Sequence, residues 1–314
     1  MVDEVRRSRL IYGCMGLGGS WEDGSYDDGA VRRAQDAVEA ALEAGIDRFD
    51  HADIYRRGSA ETVFGEVLRR SPGLRDRVVV QGKVGIRLAE PGAVAHYDLS
   101  AGAIRARVLE SLRRLGTDRL DVLLLHRPDP LLEPDEVAEA VAGLQRDGLV
   151  GEVGASNMSA AQLAELQRAL PTPLVADQLE MSLARHGFVD SAILVNHPEG
   201  AGVDFPHGTL EHCRRHGIEL QAWGSLAGGR YSGATQDDQP AAAVVSRMAE
   251  EHGVEPEAVV LGWLMRHPAR IAPVIGTTNP GRIRACAAAE RVAAAMTRVE
   301  WYELLGAARG RPVP

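Results

Sequence analysis

Short apolar runs alternate with amphipathic stretches along the whole chain. The clearest run is 120–126, where Leu, Val, Leu, Leu and Leu are interrupted by a single Asp121 before His126. An apolar run this nearly continuous is typical of a strand buried on both faces of a parallel sheet. Between the runs, apolar residues recur at helical spacing, as in 31–43, and Gly45 supplies a stop.

The pattern predicts eight strands, near 10–12, 46–49, 77–83, 120–126, 149–154, 173–178, 217–223 and 271–276. Predicted helices cover 31–43, a segment opening at Ser59, and then 100–115, 134–146, 160–170, 209–216, 239–252, 256–266, 281–292 and 297–306. Eight strand–helix units in about 250–300 residues are typical of a (β/α)8 barrel, an α/β fold. We therefore expect one TIM barrel domain over 1–314.

A doubly wound open sheet is the alternative architecture. It would usually place a G-x-G-x-x-G fingerprint between the first strand and the first helix. The glycines at 16, 18 and 19 lack that spacing, and an acidic and aromatic stretch follows them. The barrel is therefore favoured.

The least patterned region is 182–206, directly after the sixth predicted strand. A loop this long inside a barrel is more often functional or mobile than part of the scaffold. Its second half, near 190–206, looks like an insertion. Two interpretations stay open at this point: a cover over the mouth that narrows the substrate range, or a disordered surface excursion.

Composition narrows the compartment and the partners. The formal net charge of -9 argues against nonspecific binding to nucleic acid or to anionic membranes, because both need a basic surface. Three cysteines without a C-x-x-C pair argue against a disulfide framework or a structural zinc site. The first seven residues lack the apolar core of a signal peptide. No run approaches the roughly 20 apolar residues that span a bilayer. We expect a cytoplasmic protein without a metal, acting on a small molecule.

Chemically useful residues follow the apolar runs of six successive strands. They are Asp50 and Tyr55 after the second, Lys83 and His126 ending the third and fourth, Ser156 and Asn157 after the fifth, Gln178 ending the sixth and Trp223 the seventh. Since active sites of such barrels form at the C-terminal ends of the strands, these side chains should share one face. Singly, each has an ordinary surface or turn-capping role. Four titratable residues at the ends of three consecutive strands favour a functional site.

The four titratable residues make chemical sense as a set. A free tyrosine has a pKa of about 10, too high for an efficient proton donor near neutrality. An ammonium such as Lys83 would lower that pKa, and Asp50 would hold Lys83 charged and in place. His126 would orient a carbonyl oxygen through a hydrogen bond. This arrangement suits hydride addition to a carbonyl, and it implies a nicotinamide cofactor because no side chain supplies a hydride.

These residues resemble a known family, the aldo-keto reductases, from about Leu10 to the C-terminus. The resemblance rests on Asp50-x4-Tyr55, Gly82-Lys83, the strand ending at His126, and Gly154-Ala155-Ser156-Asn157, with Met296-Thr297-Arg298-x2-Trp301 typical of a bacterial branch of NAD(P)-dependent oxidoreductases. It implies an α/β barrel that binds NAD(P)H across its mouth. It also implies that Tyr55 is the general acid, tuned by Lys83 and Asp50, and that His126 orients the carbonyl.

The same resemblance implies the cofactor-binding positions. The nicotinamide amide would be held by Ser156, Asn157 and Gln178, and its ring by Trp223; the pyrophosphate would lie against Gly224, Ser225 and Leu226, and the adenosine phosphate against Gly276, Thr277, Thr278 and Arg282. Gly18 and Gly19 join this set, because clustered glycines let a backbone approach a ligand closely. NADPH is the family default, but 276–279 carry no lysine or arginine, so NADH is possible as well.

Substrate choice would depend on Trp21, Arg87 and the segment 182–206, none of which has a local signature. The physiological substrate and the oligomeric state stay open. An alternative function is a non-catalytic, nucleotide-binding regulatory or redox-sensing subunit of the same fold. A barrel hydrolase using Asp and His is a third hypothesis, but His51, Asp53 and His126 lack a metal-ligand set.

Overall fold

A computed structural model describes residues 8–232 and 240–314 of the chain. Met1 to Arg7, where the apolar core of a signal peptide is not expected, and Gln239, the predicted start of a helix, lie outside the described residues. The strands of the described residues are β1 Ile11–Gly13, β2 Arg48–Asp50, β3 Val79–Val84, β4 Ile86–Arg87, β5 His96–Tyr97, β6 Leu120–Leu125, β7 Val150–Ser156, β8 Leu174–Glu180, β9 Glu219–Trp223 and β10 Ala272–Ile275.

Eight of these strands form a closed barrel in the order β1-β10-β9-β8-β7-β6-β3-β2, and β4 and β5 form a separate two-stranded antiparallel sheet. The neighbouring barrel strands pair in parallel register, as in β3 with β6 and β6 with β7. The barrel prediction is confirmed, and all eight predicted strands belong to it. Their observed ends differ from the predicted ones by at most two residues.

The helices of the described residues are α1 Asp28–Glu43, α2 Ser59–Arg70, α3 Ala101–Leu115, α4 Pro134–Arg146, α5 Ala160–Ala169, α6 Gly187–Ile193, α7 Thr209–His216, α8 Pro240–His252, α9 Pro256–Arg266, α10 Pro280–Cys286, α11 Ala289–Ala295 and α12 Arg298–Arg309. Two helices begin directly after the capping residues that the sequence indicates. Ser159 and Thr297 each form a capping box, with Gln162 and Glu300 respectively. None of the helices among residues 8–232 and 240–314 combines the length and the apolar character needed to cross a membrane.

Three local predictions need correction. The glycine-containing loop after β3 holds the hairpin of β4 and β5, which is too short to show a periodic pattern. The predicted helix 281–292 is two helices, because the chain turns between Cys286 and Ala289. The region 182–206 contains α6 and a 3-10 turn at Pro198–Gly202, so it has more regular structure than its sequence pattern indicated.

The described residues divide into two compact units. One comprises 8–11, 40–46, 179–232 and 240–314, and the other comprises 12–39 and 47–178. In the first, the indoles of Trp263 and Trp301 stack with centroids 5.2 Å apart, and each indole N–H donates to the other residue's carbonyl. This reciprocal contact holds α12 against α9. In the second, Val122, Leu124 and Ala176 form a buried cluster.

Candidate active site

Strand register brings the proposed proton-donating groups together within the second unit. Asp50 at the end of β2 pairs with Gln81 of β3. Lys83 lies two residues beyond Gln81, so its side chain points to the same face of β3 as that of Gln81. His126 follows β6 directly, and its backbone N–H donates to the backbone carbonyl of Val84 at 2.9 Å.

A buried ion pair lies at the centre of this group. The Lys83 ammonium is 2.5 Å from Asp50 Oδ2, and both side chains are at most 2% exposed. The other carboxylate oxygen, Oδ1, accepts a hydrogen bond of 2.6 Å from Gln81 Nε2. Burial lowers the pKa of Lys83, but its interactions with Asp50 and Tyr55 together raise it by more. The net pKa is above the ordinary value, so Lys83 is an ammonium at neutral pH.

Tyr55 contacts this ammonium directly. Its hydroxyl shares a hydrogen bond with Lys83, and Lys83 Nζ lies 5.1 Å from the centroid of its ring. Burial raises the pKa of Tyr55, and the lowering by Lys83 is the smaller effect, so the net pKa is above the ordinary value. The expectation of a net lowering is therefore wrong, because it left out the desolvation of the phenolate. The phenol is fully protonated near neutrality.

His126 stands edge-on to Tyr55, with ring centroids 6.1 Å apart and an interplanar angle of 85°. Burial lowers the pKa of His126 well below its ordinary value, and the positive charges of Lys83 and Arg127 lower it further. The ring is therefore a neutral imidazole with one N–H to donate. It cannot compete with Tyr55 as a source of protons at neutral pH, but it can orient an oxygen acceptor.

Ser156, Asn157 and Gln178 form a second polar group in the same unit. Ser156 and Gln178 are register partners on β7 and β8, and Ser156 Oγ donates to the Gln178 carbonyl at 2.8 Å. Asn157 has a left-handed backbone with φ of 59° and donates from Nδ2 to Ser156 Oγ at 2.8 Å and to the His126 carbonyl at 3.3 Å. Neighbouring hydroxyl and amide groups of this kind fit the carboxamide of a nicotinamide, which offers one acceptor and two donors.

The loop after β1 gives its glycines a packing role. A Cβ on Gly18 would lie 2.7 Å from the Ala60 nitrogen, and one on Gly19 only 1.7 Å from the Ser25 carbonyl oxygen. Both positions require glycine because the chain itself fills the space. Contact of these two residues with the cofactor stays a prediction.

The two predicted substrate residues occupy different elements of the second unit. Trp21 is 41% exposed, and the guanidinium of Arg56 lies 5.2 Å from the centroid of its ring. Arg87 is on β4, opposite His96 in the hairpin. Their role in substrate binding stays a prediction.

In the first unit, Trp223 ends β9 and the left-handed Gly224 follows at φ of 66°. Ser225 is buried and donates from Oγ to the Val274 carbonyl at 2.7 Å, which ties this loop to β10, and Leu226 precedes a 3-10 turn. The turn of the chain at Gly224 and Ser225 therefore has a structural cause within the unit. Assignment of these four residues to the cofactor stays a prediction.

Gly276, Thr277 and Thr278 follow β10 in the same unit, and a Cβ on Gly276 would meet open space. Arg282 lies on α10, with Nε 3.3 Å from Glu257 Oε1 and Nη2 donating to the Ser232 carbonyl at 3.3 Å. Part of its charge is thus already compensated by an internal carboxylate. Its side chain is 37% exposed, which leaves a face for a phosphate.

Sequence reasoning missed several contributors. Gln81 lies within a predicted strand and has no predicted role, although a polar residue directly after the run Val78, Val79, Val80 is an available signal. Cys14 is fully buried and interacts electrostatically with Asp50 and Lys83, which nothing local in the sequence indicates. Within residues 8–232 and 240–314, no group of three or more His, Cys, Asp or Glu side chains is placed to hold a metal ion.

Comparison with known proteins gives a consistent result. Residues 9–299 match the model of the Aldo/keto reductase family. The chain is 38% identical to a 6-dehydroglucose reductase of Agrobacterium fabrum strain C58, over 317 residues that cover 99% of it and 97% of the relative. It is 36% identical to the oxidoreductase YdhF of Escherichia coli K12, over 290 residues that cover 91% and 90% of the two chains. A solved aldo-keto reductase from Klebsiella pneumoniae in complex with NADPH has the same fold, with a TM-score of 0.71 and 24% identity over 98% of this chain and 92% of that one.

Proposed function

Because this chain belongs to the aldo/keto reductase family, we propose that it reduces the carbonyl of an aldehyde or ketone to an alcohol, with Tyr55 as general acid and NADPH or NADH as hydride donor. Membership makes it an NAD(P)H-dependent oxidoreductase. The observation that carries the finer proposal is the contact chain from Asp50 through Lys83 to the Tyr55 hydroxyl.

In this proposal Tyr55 donates its proton to the carbonyl oxygen as that oxygen gains negative charge. The raised pKa of Tyr55 keeps the acid form fully populated before the reaction. The phenolate that remains lies beside an ammonium that is buried and held by Asp50, in surroundings where water screens little of the attraction. Lys83 therefore stabilises the product of proton transfer more than its reactant, as differential stabilisation of the transition state requires.

The neutral His126 donates its N–H to the same carbonyl oxygen and fixes its direction. Ser156, Asn157 and Gln178 would hold the carboxamide of the nicotinamide, and the bound cofactor would supply the hydride. The carbonyl oxygen that receives the proton of Tyr55 becomes the hydroxyl of the alcohol product. Each of these side chains acts by position, since only Tyr55 changes its covalent state.

The cofactor choice rests on Arg282. Its ion pair with Glu257 weakens the charge that a 2′-phosphate would meet, and 276–279 add no further cation. We propose that NADPH binds more tightly than NADH by a modest factor. Equal dissociation constants for the two cofactors, measured by calorimetry, would contradict this assignment.

Similarity to a relative supports a proposal for the substrate class. The Agrobacterium relative is named 6-dehydroglucose reductase and aligns over nearly the full length of both chains. We propose a sugar-derived carbonyl compound as the substrate, with 6-dehydroglucose as the first to assay.

Replacing Tyr55 with Phe tests the central proposal. Oxidation of NADPH with a panel of aldehydes, ketones and sugar carbonyls should fall to background, because the acid is missing, while calorimetry should show unchanged NADPH binding. Turnover of the panel at the wild-type rate would show that Tyr55 is not the acid. A wild-type protein that binds NADPH but reduces none of the compounds would instead support the regulatory subunit.

A further inference from the structure

One face of α3 carries an arginine–glutamate–arginine set at positions i, i+3 and i+7. Residues at this spacing lie side by side on a helix. Glu110 bridges the other two, with Oε2 2.9 Å from Arg107 Nη1 and Oε1 2.6 Å from Arg114 Nη1. We call these three residues, Arg107, Glu110 and Arg114, the α3 clamp.

The clamp also pairs with two carboxylates outside α3. Arg107 Nε lies 2.6 Å from Asp53 Oδ2, and Arg114 Nε lies 2.7 Å from Glu61 Oε2. The side chains of Asp53 and Glu61 are completely buried. Burial raises the pKa of both carboxyls, and the arginines lower it only in part. A buried charge without a partner lowers the free energy of unfolding by several kcal/mol, so these ion pairs matter for the stability of this region, unlike ion pairs on the surface.

Asp53 and Gly58 are the two ends of the loop that carries Tyr55, and Arg114 contacts both. Arg114 Nη2 donates to the Asp53 carbonyl at 3.2 Å. At the other end, a Cβ on Gly58 would lie 3.0 Å from three atoms of the Arg114 side chain, so the α-carbon of Gly58 packs directly on it. The backbone N–H of Asp53 donates to the backbone carbonyl of Lys83 at 3.0 Å, which links the same loop to β3.

The loop between these ends has an unfavourable backbone conformation. Arg56, Arg57 and Gly58 are consecutive left-handed residues, with φ of 51°, 56° and 89°. Two of them are not glycine, and such residues persist in this region only when the surroundings impose it. A loop of this kind returns to ordinary conformations when its supports are removed.

We propose that the α3 clamp consists of positioning residues that hold Tyr55 in place for proton donation, with Arg114 as the principal one. The catalytic part of this inference rests on the proposed function. Tyr55 touches the ammonium of Lys83, so a small displacement of the loop breaks the contact that stabilises its phenolate after proton transfer. A displacement of about 1 Å in an active site costs roughly 10²-fold in rate.

The test uses the double variant Arg114→Met/Glu61→Gln. Because it removes both charges of one buried ion pair, neither residue is left as an unpaired buried charge. Its kcat for carbonyl reduction should fall about 10²-fold, while the dissociation constant for NADPH is unchanged. Hydrogen–deuterium exchange of the amides of 54–58 should become at least about tenfold faster, as expected for local opening. The milder Arg114→Lys keeps the charge and the fold but loses the fork that reaches Glu61 and Asp53 together, so both changes should be smaller.

A matched control is Arg75→Met/Asp121→Asn. This removes a partly buried pair 2.9 Å apart, whose Asp121 accepts a hydrogen bond from the Val80 N–H near the start of β3, away from Tyr55. It should lower the melting temperature without changing kcat or exchange in 54–58. Equal losses of kcat in the two double variants would overturn the positioning role, as would an unchanged kcat and exchange in Arg114→Met/Glu61→Gln. If the wild type reduces no carbonyl, the proposed function fails, and the exchange measurement alone still decides whether the clamp holds the loop.

Discussion

Removing the charge of Asp50 alone should separate stability from chemistry at the centre of the site. Asp50→Asn keeps the shape of the side chain but leaves Lys83, which is 1% exposed, as a buried ammonium without a counter-ion. Breaking a buried ion pair in this way costs about 3–5 kcal/mol of unfolding free energy. Typical domains have only about 5–15 kcal/mol in total. We therefore expect a much lower urea midpoint.

The same variant should acquire a pH dependence. In the wild type the pKa of Lys83 is raised, so its contribution to stability is complete below the unfolded pKa of about 10.4 and is lost only as the pH rises through the folded pKa. In Asp50→Asn, the carboxylate that raises the pKa of Lys83 is absent, so burial lowers this pKa. Between the folded and unfolded pKa values the unfolded chain then binds more protons, so the free energy of unfolding should rise with pH, by at most about 1.4 kcal/mol per unit.

Urea titrations at about pH 6 and about pH 9, read by far-UV circular dichroism, measure both effects. The control Asp50→Asn/Lys83→Met should recover much of the lost stability, because no buried charge is left unpaired. Its reductase activity should stay lost, because Tyr55 has no ammonium beside it. A wild-type midpoint with no pH slope in Asp50→Asn, or a double variant less stable than Asp50→Asn, would refute the reasoning.

Three further predictions test other parts of the site. Because the pKa of Tyr55 is raised above its ordinary value, kcat for reduction should stay flat through neutral pH and fall only in strongly alkaline solution; a loss centred near about pH 8 in a pH–rate profile would contradict this. Arg282→Ala should raise the dissociation constant for NADPH more than that for NADH in calorimetric titrations, and equal increases would remove it from the 2′-phosphate. Gly19→Ala, whose Cβ would meet the Ser25 carbonyl at 1.7 Å, should lower the free energy of unfolding by about 1–3 kcal/mol or more, whereas Gly276→Ala, which faces open space, should leave it unchanged.

The sequence predicted those parts of the fold that local patterns determine. The apolar runs located all eight barrel strands, and the capping signals at Ser159 and Thr297 located their helices. The hairpin of β4 and β5 was not predicted, because strands of two residues are too short to show an alternation of apolar and polar positions. The break between Cys286 and Ala289 escaped because both halves continue the same helical spacing.

For the candidate site, the sequence indicated which residues lie at the strand ends, but it did not indicate how buried these residues are or which charges surround them. Asp50, Lys83 and His126 were found because each ends an apolar run, and the register then brings them together. The sign of the pKa shift of Tyr55 could not be obtained in the same way, since it depends on a balance between burial and a nearby charge. Arg114 had no local signal for its link to the Tyr55 loop either, because its partners outside α3, Asp53 and Glu61, lie more than fifty positions away along the chain.

The stacked pair of Trp263 and Trp301 also makes the protein its own optical probe. The two rings lie 5.2 Å apart and only 12° from parallel, a geometry in which the electronic transitions of two indoles couple as excitons. Of the remaining two tryptophans, Trp21 lies in the loop after β1 and is predicted to contact the substrate, and Trp223 ends β9 and is predicted to contact the cofactor. Loss of the exciton signal in circular dichroism would therefore report the departure of α12, while changes in fluorescence intensity with that signal intact would report events at Trp21 or Trp223.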